Sequence, residues 1–297
     1  MTQATTKSVL ETARAKINLS LHITGKRPDG YHLLDSLVVF ADVSDTLEIG
    51  PAASTSLEIS GPFGENLPVS NDNLVLQAFM ALGKLTGDPL PPTSFALSKN
   101  LPVASGIGGG SADAGAALRG LISLWDLKVN DAELKEIALE IGADVPVCYA
   151  GKSCLMSGIG ENLDEISHIP EMPAVLVNPG IAVSTAEIFS TLDVDSGSFA
   201  FDSLPELPTS KSLANWLDWI DFTRNDLEEA AISAMPMIVD VIAELEKTRN
   251  CQVTRMSGSG ATCFGLYYTR ADADEAAREI AANHPEWWVT STTLAQS

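Results

Sequence analysis

The chain has no uninterrupted apolar run of the roughly 18 residues that a membrane helix needs. Met1 to Arg14 lacks a hydrophobic core of signal-peptide length. Basic residues are scarce: 18 Lys and Arg stand against 39 Asp and Glu, a formal charge of −21. That balance argues against nucleic-acid binding, which needs a positive footprint, and against an anionic membrane surface. An anionic substrate would need a few placed cations to overcome the overall field. Cysteine is sparse too. Cys148, Cys154, Cys251 and Cys263 form no C-x-x-C pair, and no nearby histidines complete a zinc spacing. They read as buried thiols in a reducing compartment. Internal repeats are absent. The expectation is a soluble, cytoplasmic protein of two domains or one large one, within 297 residues.

What the chain has is glycine, concentrated in one place. Four of the five positions Gly106-Ile107-Gly108-Gly109-Gly110 are glycine, between a strand-like segment (Ser94 to Ser98) and a helix expected from about Ser111 to Trp125. Glycine tolerates positive φ and has no side chain, so such a loop brings backbone N–H groups close to an oxyanion. The helix behind it adds free N–H groups and a positive dipole end. The pattern is that of a phosphate cradle. It is not a P-loop, because no Lys follows the glycines. Nor is it a dinucleotide fingerprint: counted from Gly106 or Gly108, the last position is Ser111 or Asp113. The D-F-G and H-R-D marks of protein kinases are missing, and Gly109 to Asp113 lacks the final glycine of a hydrolase nucleophile elbow. A plain Gly-rich helix entry is the remaining alternative.

The first half reads as strands, then helices. Ala13 to Thr24 alternates as a half-buried strand, and Tyr31 to Phe40 returns after the turn Gly25 to Gly30. Short strands are expected at Thr46 to Ile49 and Leu57 to Ile59, with a helix capped by Asn73 through Leu85. Asn130 with Glu133 marks another helix start, and Gly142 its end. Val147 to Ala150 and Ser153 to Met156 flank Gly151-Lys152 as a hairpin, with a domain boundary near 157–165. Asp193 to Ser212 reads as an exposed loop. Helices follow at Asn225 to Ala234 and Met237 to Lys247, then strands at Gln252 to Met256 and Thr262 to Tyr268 around the tight loop Ser257-Gly258-Ser259-Gly260. A helix (Ala271 to Ala282) and a strand (Trp288 to Thr293) close the chain. The class is α+β, with helices on one face of a mostly antiparallel sheet.

Phosphoryl transfer needs a held nucleotide, stabilised charge and a positioned acceptor hydroxyl. Lys16 and Asn18 are two apart on a strand, so they share a face, while Ile17 points the other way. A snorkelling Lys with a solvated Asn is the alternative. Asp144 lies where Pro146 turns Val145 away from helix, so that a helix hands over to a strand. Flanking apolar residues could desolvate it as a general base. An Asp capping the turn after Gly142 is the other reading.

Together, Ala15-Lys16-Ile17-Asn18-Leu19, Asp29-Gly30-Tyr31-His32, Pro102 to Ala112, Gly142-Ala143-Asp144-Val145-Pro146 and Ser257-Gly258-Ser259-Gly260-Ala261 resemble the GHMP kinase superfamily. The A-K-[IL]-N, D-G-Y-H and G-A-D-V-P segments resemble one family within it. That family phosphorylates the 2-hydroxyl of 4-diphosphocytidyl-2-C-methyl-D-erythritol in the non-mevalonate (MEP) isoprenoid pathway. The motifs keep the family order from residue 15 to about 268.

The resemblance implies a two-domain fold. Residues 1–160 would form a ribosomal-protein-S5-like, ATP-binding domain, and 161–297 a ferredoxin-like α/β sandwich that contributes to the substrate pocket. It implies ATP and Mg²⁺ as cofactors, a small-molecule substrate, and a monomer or weak homodimer. Lys16 and Asp144 match the catalytic pair: Asp144 takes the hydroxyl proton, and Lys16 stabilises charge and holds Asp144 ionised. Pro102, Val103, Ala104, Ser105, Gly106, Ile107, Gly108, Gly109, Gly110, Ser111 and Ala112 match the ATP phosphate loop, with the Ser111 hydroxyl reaching a phosphate or its Mg²⁺. Ser105 stands where the family's loop is richer in glycine. Asn73 and Lys99 match the adenosine side. Asn18, Tyr31, His32, Thr185 and Phe189 match the substrate pocket, where an aromatic face stacks on cytosine. Gly258 belongs to a loop that packs against the phosphates or only joins two strands. A homoserine- or mevalonate-type kinase is the nearest alternative, and a regulatory nucleotide-binding module a more distant one. The D-G-Y-H segment disfavours the first and intact Lys16 and Asp144 the second.

Overall fold

The computed structural model describes residues 8–65, 67–192 and 202–295. In chain order the elements are β1 (Val9–Lys26), β2 (His32–Pro51), β3 (Ser56–Ser60), α1 (Leu74–Thr86), β4 (Thr93–Ser98), α2 (Gly109–Leu124), α3 (Asp131–Ile141) and α4 (Val145–Ala150). They continue with β5 (Cys154–Gly158), β6 (Asn162–Glu165), β7 (Met172–Asn178), α5 (Thr185–Thr191), α6 (Leu213–Phe222), α7 (Glu228–Ala234) and α8 (Met237–Lys247). The last are β8 (Val253–Met256), β9 (Cys263–Leu266), α9 (Arg270–Asn283) and β10 (Trp288–Leu294).

These residues pack as two units. The first comprises Met1–Ala15, Val43–Val103 and Gly109–Gly151; the second comprises Lys16–Asp42, Ala104–Gly108 and Lys152–Ser297. Strands β1 and β2 have residues in both.

In the first unit, β4 pairs antiparallel with the end of β2 (Thr46↔Ser98 to Pro51↔Thr93) and parallel with β3 (Ser56↔Ser94). Alternation on β4 turns Thr93, Phe95 and Leu97 inward, where Phe95 meets Phe79 edge-on at 5.8 Å. Asn73 caps α1 as expected, its Oδ1 accepting from the Val75 amide, and Asn130 caps α3 in the same way. Helix α2 is buried on nearly every side, which its run of Ala and Gly allows: Ala112, Ala114, Ala116 and Ala117 are all in the core. The close packing anticipated for Gly115 and Gly120 has definite partners. A Cβ on Gly115 would meet the α4 backbone at Cys148 and Tyr149, and one on Gly120 would strike Ile49.

One segment departs from expectation here. Val147 to Ala150 is not a hairpin strand but part of α4, and Asp144 leads into that helix, not into a strand. Pro146 sits in the helix's first turn, where its missing N–H costs nothing, and Gly151 closes it at φ 62°.

In the second unit, β7 lies between β10 (Trp288↔Asn178 to Leu294↔Met172) and β9 (Ala174↔Leu266), both antiparallel, and β8 adds to β9. β10 meets β2 at Leu294↔Ala41, and β5 pairs with β2 and β6. Residues 157–165, read as a boundary, are therefore mostly a β-hairpin. The strands expected at Tyr31 to Phe40 and Thr46 to Ile49 are one long strand, because the polar stretch Asp42 to Asp45 stays extended. Residues 193–201 of the expected loop lie outside the described residues. The described remainder, to Ser212, is irregular and leads into α6, whose Trp216 and Trp219 donate back to the carbonyls of Ser210 and Glu206.

Candidate active site

In the second unit, β1 is buried on both faces from Lys16 to His22. Ile17, Leu19 and Leu21 line one face; Lys16, Asn18, Ser20 and His22 line the other. Lys16 is 4% exposed and Asn18 1%, so neither is a solvated edge residue. Asn18 Nδ2 donates to Ser36 Oγ at 2.7 Å, and that hydroxyl donates to the Ser20 carbonyl at 2.6 Å. The Asn18 amide N–H donates to Ser257 Oγ at 3.1 Å. Asn18 Oδ1 is buried without a partner, on the side where a Cβ at Gly258 would approach to 3.3 Å.

The first part of the glycine loop is fastened by its carbonyls in the same unit. Ala104 O accepts from Val183 N, Ser105 O from Thr262 N, Gly106 O from Ser257 Oγ and Ile107 O from Lys16 N. Gly106 must be glycine: at φ +77°, a Cβ would lie 2.7 Å from Gly260 N. Gly258 is equally constrained, at φ +56° and 2.7 Å from Gly106 O. The two glycine loops are thus in direct backbone contact, so the second does more than join strands. Asn225 holds it in place, with Nδ2 donating to the carbonyls of Met256 (2.9 Å) and Gly258 (2.8 Å). Ser105 is buried, with its carbonyl on Thr262. A glycine there would gain no open backbone.

Tyr31 is 59% exposed, after a turn in which Arg27 N donates to Tyr31 O. It is no core aromatic. His32 packs its ring 5.3 Å from that of Phe189, and its Nε2 is buried without a partner. Burial, and then the nearby Lys26 charge, hold its pKa below the ordinary 6.5. Thr185 Oγ1 shares a hydrogen bond of 2.8 Å with Ser259 Oγ. Within this unit the structure therefore connects His32 with Phe189 and Thr185 with the 257–260 loop.

In the first unit, Gly109 and Gly110 open α2 with no acidic residue in the first turn, and Ser111 follows. This end suits an anion: its first N–H groups have no intrahelical acceptor and the dipole is positive there. Asp144 precedes α4 in helical conformation (φ −88°, ψ −6°), and its side chain makes no cap hydrogen bond. Asn73 is engaged at both ends of its amide, accepting from Val75 N and donating to the Pro68 carbonyl. Lys99 is buried and donates to Asp45 and Asp113. Asp45, Asp113 and Asn225 carry no assigned role in the sequence reading; only contacts between distant segments reveal them.

Residues 73–152 match the family model described as GHMP kinases N terminal domain, and 204–286 match GHMP kinases C terminal. A 4-diphosphocytidyl-2-C-methyl-D-erythritol kinase from Cereibacter sphaeroides is 50% identical over 95% of this chain and 98% of its own length. The crystal structure of a 4-(cytidine 5'-diphospho)-2C-methyl-D-erythritol kinase superposes with TM-score 0.78 at 30% identity, covering 97% of this chain and all of that one. A homoserine kinase from Cytophaga hutchinsonii shares the fold, with TM-score 0.67 at 17% identity over the whole of this chain and 98% of that one.

Proposed function

The chain belongs to the 4-diphosphocytidyl-2-C-methyl-D-erythritol kinase family of the GHMP kinases, and from that membership we infer its reaction. It transfers the terminal phosphoryl group of ATP to the 2-hydroxyl of 4-diphosphocytidyl-2-C-methyl-D-erythritol, a step of the MEP route to isoprenoid precursors. The carrying observation is half-identity over nearly the full length of such an enzyme. The family's A-K-I-N, D-G-Y-H and G-A-D-V-P segments all stand in place.

Asp144 accepts the proton of the 2-hydroxyl, and Lys16 stabilises the charge that develops on the transferred group. No covalent phosphoenzyme is needed; positioning and electrostatics carry the rate. Pro102 to Ala112 holds the ATP phosphates, and the anion-accepting start of α2 supports that role. Bound with the triphosphate, Mg²⁺ would supply neutralisation of its charge, and Ser111 is the residue whose hydroxyl would hold it. Such an ion keeps phosphate and water ligands for most of its shell, so one protein hydroxyl, that of Ser111, suits it. Asn73 lies on the adenosine side, whereas Lys99, which the resemblance also puts there, is turned inward onto Asp45 and Asp113.

Asn18, with its unpartnered buried carbonyl oxygen, and Gly258 face the acceptor. Exposed Tyr31 offers a stacking face for cytosine. His32, Phe189 and Thr185 complete that pocket. The expected assembly is a monomer or weak homodimer in the cytoplasm; among the described residues no helix is long and apolar enough to cross a membrane.

The test is ADP release with 4-diphosphocytidyl-2-C-methyl-D-erythritol, homoserine and mevalonate offered in turn. Turnover restricted to the cytidylyl compound is expected. Equal or greater turnover with either of the others would overturn the assignment.

A further inference from the structure

The chain leaves β4 at Ser98 and enters α2 at Gly109, with the glycine loop between them. A buried ion triad in the first unit joins the two ends of that interval. Lys99 Nζ donates to Asp45 Oδ2 at 2.5 Å and to Asp113 Oδ2 at 2.6 Å, and none of the three side chains is more than 5% exposed. Asp45 Oδ1 also accepts from the amides of Asn100 (2.5 Å) and Leu101 (2.8 Å), which lead directly into the loop. Asp113 lies in the second turn of α2, just behind the loop's last glycine. The ammonium also lies against the helix entry, since a Cβ on Gly109 would come within 3.2 Å of Nζ.

Stability alone does not explain such a cluster. Buried ion pairs are often no better than an apolar core of the same volume, because desolvation offsets their attraction. One ammonium balances only one carboxylate, so the second carboxyl group adds a burial cost whether it is ionised or protonated. Their geometry, however, is directional: charge-assisted hydrogen bonds hold donor and acceptor at fixed separations. A loop with four glycines has much conformational freedom to lose when it closes on a ligand. Fixing both of its ends in advance lowers that cost.

We propose that Asp45, Lys99 and Asp113 are positioning residues that clamp the two ends of the glycine loop and thereby set its affinity for a nucleotide triphosphate. The proposal rests on the reading of that loop as the ATP phosphate cradle. The clamp acts on the phosphates and not on the base or the acceptor.

Asp113→Asn and Asp45→Asn test it in the full-length chain. Each leaves Lys99 with one carboxylate partner, so the buried charge stays balanced and the fold is retained. Calorimetric titration would use three probes: a non-hydrolysable ATP analogue, adenosine, and the cytidylyl substrate. Both variants are expected to weaken the ATP analogue by roughly tenfold or more. Adenosine and the cytidylyl substrate, which do not use the clamped loop, should change by no more than about twofold. An unchanged affinity for the ATP analogue would overturn the clamp. So would equal losses for all three probes, which would mark the triad as a folding element only. If the wild-type chain binds the ATP analogue but does not phosphorylate the cytidylyl compound, the substrate assignment falls and these titrations still decide the clamp. A wild-type chain that fails to bind the ATP analogue would sink both the cradle and the clamp.

Discussion

Gly115 of α2 rests directly on the backbone of α4: a Cβ there would lie 2.8 Å from both Cys148 C and Tyr149 N. Backbone cannot swing aside as a flexible side chain does, so a methyl group must separate the helices. Gly115→Ala is expected to destabilise the protein by about 1–3 kcal/mol, despite alanine's better helix propensity. Gly83 of α1 supplies the contrast, because a Cβ there meets Leu90 N only at 3.5 Å. Gly83→Ala should be neutral or stabilising by up to about 1 kcal/mol. Thermal melting of the two variants checks both. A Gly115→Ala protein as stable as the parent would show that α2 and α4 can part freely.

Asp144 leads into α4, so the same packing bears on chemistry. Asp144→Asn keeps the shape and removes the base; kcat should fall by about 10²–10⁴-fold while ATP still binds. Lys16→Ala should lower kcat by about 10²–10³-fold and weaken ATP far less. A near-normal rate in the first variant would remove Asp144 from the base role. Loss confined to ATP affinity in the second would move Lys16 into the cradle.

The sequence revealed the site wherever local pattern fixes a side chain's surroundings. Alternation alone put Lys16 and Asn18 on one face of β1, and the capping preference of asparagine placed Asn73 and Asn130. It misled at Pro146, where the bias against helix in the preceding residue was set against the tolerance of a first helical turn for proline, and the turn won. Helix α6 had a readable signal in the spacing of Leu213, Trp216, Leu217 and Ile220, masked by the polar stretch before it. The apolar run of β7 was similarly available. The Lys99 triad was not legible. Asp45, Lys99 and Asp113 come from separate elements, and no local periodicity reports which buried charge another will meet.

His32 is held neutral by its surroundings, burial first and Lys26 second. Its Nε2 is buried without a hydrogen-bond partner. Loss of one hydrogen bond and the ring face in His32→Ala should raise KM for the cytidylyl substrate by up to about tenfold, with kcat little changed. Because the pKa lies below 6.5, the imidazole gains charge only under more acidic conditions than an ordinary histidine. KM should therefore be flat from neutral pH upward and change only on acidification below that value. An unchanged KM in the variant, or a KM that shifts between pH 7 and 8 in the parent through His32, would contradict this role.

Asp113 gives the triad a pH signature. Burial, reinforced by the Asp45 charge and opposed by Lys99, pushes its carboxyl from 3.8 up to about 7. The charged groups recorded against it are Lys99 and Asp45, from the segment after β4 and from β2. Between those two values the folded chain holds a proton on Asp113 that the unfolded chain has released. The folded state thus binds more protons, and its stability must fall as pH rises through this window. The contribution is fully present below the ordinary carboxyl value and gone above about 7, with a slope of at most about 1.4 kcal/mol per pH unit. Asp113→Asn has no such proton. Denaturant unfolding of parent and variant, measured at several pH values across this range, isolates the effect from every other carboxylate, since those are common to both. The stability of the parent relative to the variant should decline steadily with rising pH and level off above neutrality. A difference that stays constant from acid to neutral pH would mean that Asp113 is ionised throughout, with Lys99 outweighing both burial and Asp45.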